Sequence, residues 1–430
     1  MGRCLVLAAF VCGVASCVPV TSSSVPPAAT PIAGGAPRFE SEQRWGQVGD
    51  TRWEPVTAAD PSSSWVYQMT TDQRPDYLLV RASSDGGRTW RKERRICHHG
   101  VRVPFQYDPQ IAVADGGVVD AVCLDGFRPG VVFTRSRDRG ATWSAAVRLD
   151  DSLHYSDKPT LVISRDGKDV YVAYNVRYAL YVTASHDYGV TWNAPVRATT
   201  EHYWYYPYGG TVAPNGSVWF AVDGEAGRNQ TGAGHVELVT SRDGGAAWRR
   251  IPFVVSREGA PCTVRNCYPD FYTAQDAVAA DRRGALVFVF AENHRRQGPN
   301  SLYVSRSDDG GSTWSAPMLF NASGNSTSPA VVAGPSAGDF RLVWQDDRNG
   351  ARAWNTWYAR SADGGATWST ALRLSDRGSG APYKHGDGYG FPFGDYLGLA
   401  VDSRGVDHVI WGEGGAIYFP GGTWWTREVR

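Results

Sequence analysis

The chain has 430 residues, and its 43 basic side chains balance 43 acidic ones, leaving a formal charge of zero. That balance argues against a nucleic-acid or polyanion partner, because neutralising phosphates needs clustered Lys and Arg. The 17 Trp, 21 Tyr and 49 Gly, spread among short β-like runs, point to an all-β architecture.

In chain order, Arg3, the apolar run Leu5 to Val14 and the small residues after it form a secretory signal over residues 1–16. It is too short to span a bilayer as a helix. Val14-Ala15-Ser16-Cys17 resembles the lipobox of bacterial lipoproteins. The resemblance implies cleavage before Cys17, acylation of its thiol and a place in the bacterial cell envelope. Plain secretion is the alternative, and the sequons at Asn215, Asn229, Asn321 and Asn325 would suit a eukaryotic exported chain. Residues 17–50 read as a lipid-anchored tether and closing segment, since Thr21 to Pro37 is Ser, Pro, Ala and Gly without periodicity. Residues 51–430 carry the folded domain.

Cys4 and Cys12 leave with the signal and Cys17 takes the lipid, so four cysteines remain. An even number in an exported chain suggests two disulfides. Cys262 and Cys267 share one short loop and pair; Cys97 with Cys123 follows by elimination.

From about Trp53 the chain repeats a unit of four short strands. The clearest runs from Asp108 through Val118–Cys123 and Val131–Thr134 to Ala146–Leu149. Units begin near Glu54, Asp108, Lys158, Tyr208, Ala274, Ser328 and Asp395. Six contain the pattern Ser-x-Asp-x-Gly-x-Thr-Trp: Ser83–Trp90, Ser136–Trp143, Ser185–Trp192, Ser241–Trp248 (with Ala247 in the Thr place), Ser307–Trp314 and Ser361–Trp368. Their carboxylates are Asp85, Asp138, Asp187, Asp243, Asp309 and Asp363. Each Asp can accept backbone N–H groups just ahead of it, the Gly supplies a positive φ, and the Trp buries its ring on a neighbouring sheet. The last unit has Gly421-Gly422-Thr423-Trp424 with Phe419 in the Asp place, which reads as a degenerate box. Repeats of this length predict a β-propeller of four-stranded antiparallel blades. Seven blades are expected; six would follow if one unit were split across the closure between Arg38–Arg52 and the C-terminus.

These boxes resemble the Asp boxes of sialidase-like BNR-repeat propellers, and the resemblance covers nearly all of the mature chain. It implies that the boxes are structural and lie on the face opposite the ligand. The site then falls where the loops entering each first strand converge on the central channel. Those loops offer Glu54, Asp108, Asp157 and Asp395 as polar groups, and Tyr206 and Tyr272 as platforms for a sugar ring. An Asp or Glu before Pro is also ordinary turn chemistry.

Sialidases clamp a carboxylate with arginines, the first in a Phe/Tyr-Arg-Ile/Leu-Pro motif. Here that place reads Trp53-Glu54-Pro55, and Arg102-Val103-Pro104 lies between units, so no residue is assigned a catalytic role. No cofactor motif is present; a ring of Glu54, Asp108, Asp157 and Asp395 could hold a hard cation such as Ca²⁺. Two readings follow: a surface-tethered, monomeric propeller binding a glycan or protein, and a glycoside hydrolase of sialidase-like or related type using channel-mouth carboxylates.

Overall fold

The computed structural model describes residues 37–47, 52–73, 76–98, 106–126, 130–150, 153, 155–225, 232–258, 274–350, 353–376, 391–392, 396–414 and 421–430. Within them the chain is all β and forms seven antiparallel blades. Blade 1 is built from Arg52–Ala59, Val66–Gln73, Asp76–Ser83 and Arg94–Ile96; blade 2 runs from Gln106–Val113 to Val147–Arg148. Blade 3 runs from Asp157–Ile163 to Val196–Arg197, and blade 4 from Trp204–Val212 to Arg249–Ser256. Blades 5 and 6 open with Asp276–Ala280 and Ser326–Ala333. Each first strand touches that of the next blade, and blade 7 closes onto blade 1.

Blade 7 contains Gly398–Val401, Asp407–Gly414 and Gly421–Val429. Its outer edge comes from the other end of the chain: Arg38–Phe39 and Gln43–Trp45 both pair with Gly421–Val429. The degenerate box is therefore corrected. Thr423 and Trp424 lie inside the third strand, opposite Gly412 and Trp411. With its fourth strand supplied by the N-terminal segment, this blade has no hairpin for an Asp turn to close.

Hydrophobic clusters sit between successive blades rather than within one. The box tryptophans join them with one polarity. Trp143, Trp192, Trp248, Trp314 and Trp368 pack into the cluster shared with the preceding blade, and Trp90 of blade 1 packs on Trp425 of blade 7. Burial of these large rings therefore fastens each blade to its predecessor.

The turns behave as their residue types require. Asp309 accepts the N–H of Ser312 and of Thr313, both at 2.9 Å, and the hydroxyls of Ser307 and Thr313. In the lapsed box Asp243 keeps the N–H of Ala247 at 3.0 Å without the hydroxyl. The residue before the box Gly is also left-handed, including Arg139 and Tyr188. The turn thus needs two positive φ values, where the sequence motif marks only one.

One disulfide expectation is corrected. Cys97 and Cys123 share the blade 1–blade 2 core, but as buried free thiols. There they serve as small apolar groups, and burial pushes the Cys123 thiol well up. Cys262, Cys267 and Cys17 lie outside the described residues.

Candidate functional site

Four first strands carry the same irregularity. The register slips between Trp53 and Val56, Tyr107 and Gln110, Asp157 and Thr160, and Thr327 and Ala330. The slipped residues are Glu54, Asp108, Lys158 and Ser328; each has φ between 51° and 53° and each precedes a proline. Proline cannot donate to the ladder, so pairing breaks into a bulge there. The dipeptides that resembled turns are thus bulges inside strands. The displaced N–H is taken by a side chain of the preceding blade: Glu54 Oε2 accepts that of Asp108, and Gln275 Oε1 that of Ser328, both at 2.9 Å.

The bulges bring four blades into one cluster. Lys158 Nζ donates to Asp108 Oδ1 at 2.9 Å and lies 4.0 Å from Glu54 Oε1. The Tyr396 hydroxyl donates to the same Asp108 oxygen at 3.0 Å. Glu54, Asp108, Lys158 and Tyr396 are all buried. Asp157 adjoins them; it accepts the Lys158 N–H at 3.0 Å and the Tyr155 hydroxyl at 3.4 Å.

A second acidic group lies between blades 4 and 5. Asp223, Glu225, Glu237 and Asp276 are all buried, and Asp223 pairs across the sheet with Tyr206. Burial, reinforced by the neighbouring carboxylates, pushes Asp223 and Asp276 well above the usual range. Burial likewise raises Glu237 to about 7, even with Arg250 beside it.

Tyr206 joins the two groups. Burial pushes its phenol up, and the nearby Asp157, Glu225 and Asp223 carboxylates act in the same direction against Lys158. The ring lies between Trp204 and Tyr208, with centroids at 6.4 and 6.2 Å. Tyr208 in turn lines a channel cavity of about 170 Å³, whose polar wall includes Gln110, Gln275, Asp276, Ser328 and Tyr396.

Of the residues singled out in the sequence, Glu54, Asp108 and Asp157 gather around Lys158, and neither they nor Tyr206 belong to the lining of the cavity, whereas Tyr272 and Asp395 lie outside the described residues. Sequence reasoning passed over Lys158, Tyr396, Asp276, Asp223 and Glu225. For Lys158 a signal existed: Lys158-Pro159 repeats the register of Glu54-Pro55 and Asp108-Pro109. The ammonium stands where a cation between Glu54 and Asp108 would have to sit. Among the described residues no group of three or more His, Cys, Asp or Glu is arranged to hold a metal.

The blade count, the box turns and the channel geometry define a sialidase-like seven-bladed propeller. The BNR repeat-like domain family matches residues 35–280, and the chain belongs to that family. No curated protein matches it in sequence. Among solved structures it is similar to a PL25 ulvan lyase, with 11% identity over 89% of this chain and 95% of that one and a TM-score of 0.54. It is also similar to an α-L-arabinofuranosidase from Fusarium graminearum, with 13% identity over 91% and 98% and a TM-score of 0.50. A Hadza microbial sialidase gives 17% identity over 85% and 74%, with a TM-score of 0.49. At such identities the likeness is one of fold.

Proposed function

We propose that the chain is an exported propeller that binds a carbohydrate at the channel cavity, tethered to the cell envelope through Cys17. The observation that carries this reading is the cavity wall. Tyr208 and Tyr396 supply ring faces, and Gln110, Gln275, Asp276 and Ser328 supply polar groups from different blades converging on one space. The ulvan lyase and the arabinofuranosidase, which share the fold, support a saccharide as the ligand class. A glycan array on the full chain tests it. Binding to a defined set of glycans is expected, and a folded protein that retains none would refute the reading.

Hydrolysis is the second reading, favoured by Asp276. This carboxyl lines the cavity and burial raises its pKa, as a proton donor requires. Glycans bound on the array would then be cleaved with release of reducing ends, and Asp276→Asn would abolish release while leaving binding. Intact glycans after prolonged incubation would leave binding alone.

A further inference from the structure

The cavity wall holds two polar side chains whose hydrogen-bonding capacity the protein leaves unused. Gln275 and Asp276 are consecutive residues where blade 5 opens, they are 1% and 0% exposed, and both line the cavity. Gln275 is fixed by its neighbours in blade 6. Its Oε1 accepts the N–H and the hydroxyl of Ser328 at 2.9 and 3.0 Å, and the Thr327 hydroxyl at 2.9 Å. A backbone N–H can only donate, so the amide cannot be reversed, and its Nε2 is left without an acceptor among the described residues. Both oxygens of Asp276 likewise lack a hydrogen-bond partner there, apart from an approach by the backbone of Val222. Burial, reinforced by Glu237, pushes the pKa of this carboxyl well up, and a neutral carboxyl both donates and accepts. A buried polar group left unmatched is costly, and these two border a space that a ligand can fill.

We propose that Gln275 and Asp276 are the specificity-determining pair of this cavity, which takes a single sugar ring and requires one hydroxyl to accept from the Gln275 amide and another to bond with the Asp276 carboxyl. This rests on the carbohydrate-binding reading above and narrows it to a free monosaccharide or one terminal ring of a glycan. The size agrees: about 170 Å³ is the room of about six waters, which suits one ring and excludes a second. The chemistry agrees as well. A hydroxyl donates and accepts, so it can meet either group, whereas a ring lacking that hydroxyl leaves the buried group unmatched and is rejected.

Isothermal titration of the full chain with the methyl glycosides of glucose, galactose, mannose, xylose and arabinose finds the ring that binds, and its monodeoxy analogues are then titrated. Loss of one particular hydroxyl should weaken binding about tenfold or more, as an unmatched buried partner requires. Asp276→Leu should bind the parent glycoside about as weakly as the wild type binds that analogue, and should no longer tell the two apart. Asp276→Asn, which still donates and accepts, should keep most of the affinity. Gln275→Glu keeps an oxygen for Ser328 but loses the amide donors, and should behave in the same way toward a second hydroxyl. Circular dichroism checks that each variant is folded. Wild-type affinity in folded Asp276→Leu and Gln275→Glu would overturn the role of the pair while leaving carbohydrate binding in place. Equal affinity for every deoxy analogue would overturn it in the wild type alone, should a variant not fold. Binding of oligosaccharides without binding of any single ring would overturn the single-ring fit, and failure of every sugar to bind would overturn the binding reading itself.

Discussion

Gly311 offers a test of how the blades are fastened. It holds φ +80°, and a Cβ built there would lie 2.1 Å from Cη2 and 2.3 Å from Cζ2 of Trp219 in the preceding blade. Trp219 cannot retreat freely. It is fully buried, its indole N–H donates to Ser217 Oγ at 2.9 Å, and its ring meets Trp314 edge-on at 5.9 Å. Gly311→Ala therefore carries two costs: about 1–2 kcal/mol for a left-handed alanine and about 1–3 kcal/mol for overpacking. Gly284→Ala is the control, because φ there is +85° but nothing lies within 4 Å of the added methyl. It should lose only the first term. With an unfolding entropy of about 2 cal/mol/K per residue over roughly 390 residues, Gly311→Ala should melt about 2–6 °C lower and Gly284→Ala about 1–2 °C lower. Thermal scans by circular dichroism, paired with denaturant titration, measure both. Equal losses in the two variants would refute the claim that box glycines seat one blade against the next.

Asp309→Ala removes the acceptor of a box turn and should lower thermal stability while leaving glycan binding unchanged; loss of binding in a folded variant would contradict the assignment of faces. The Thr142 and Thr191 hydroxyls and N–H groups hold Asp138 and Asp187 down to about 2. Because folding lowers these values, the stabilisation is complete above the unfolded value of about 4 and fades as pH falls toward 2. The melting difference between wild type and Asp187→Ala should shrink over that interval, and a constant difference would count against it. Glu237 has the opposite sign: burial raises it to about 7, so its ionisation opposes folding increasingly as pH rises from about 4 through 7. Glu237→Gln should therefore gain on wild type at pH 8 relative to pH 5, and melting curves at the two values decide it. Cys17→Ser should move the protein from the membrane fraction to the medium; absence of fatty-acid label on the wild type would remove the anchor.

The sequence by itself determined the propeller. Six boxes at blade-length spacing specify turns through local chemistry, since Asp309 reaches acceptor distance of Ser312 and Thr313 whatever surrounds them. Alternating and continuous apolar runs specify buried strands for the same local reason. What the residues nearby could not decide was anything that needed two distant segments. Gly421-Gly422-Thr423-Trp424 resembled a turn because its partner strand, Gln43–Trp45, stands at the other end of the chain. Cys97 and Cys123 were brought into one core between two blades, yet as thiols. Glu54 and Asp108 were legible as candidates, but the cation between them was not. Lys158 becomes their partner only when three bulged strands from successive blades turn inward at the same height, an arrangement set by ring closure. The pairing of charges at the site is decided by tertiary structure because electrostatic energy depends on distance through space rather than along the chain.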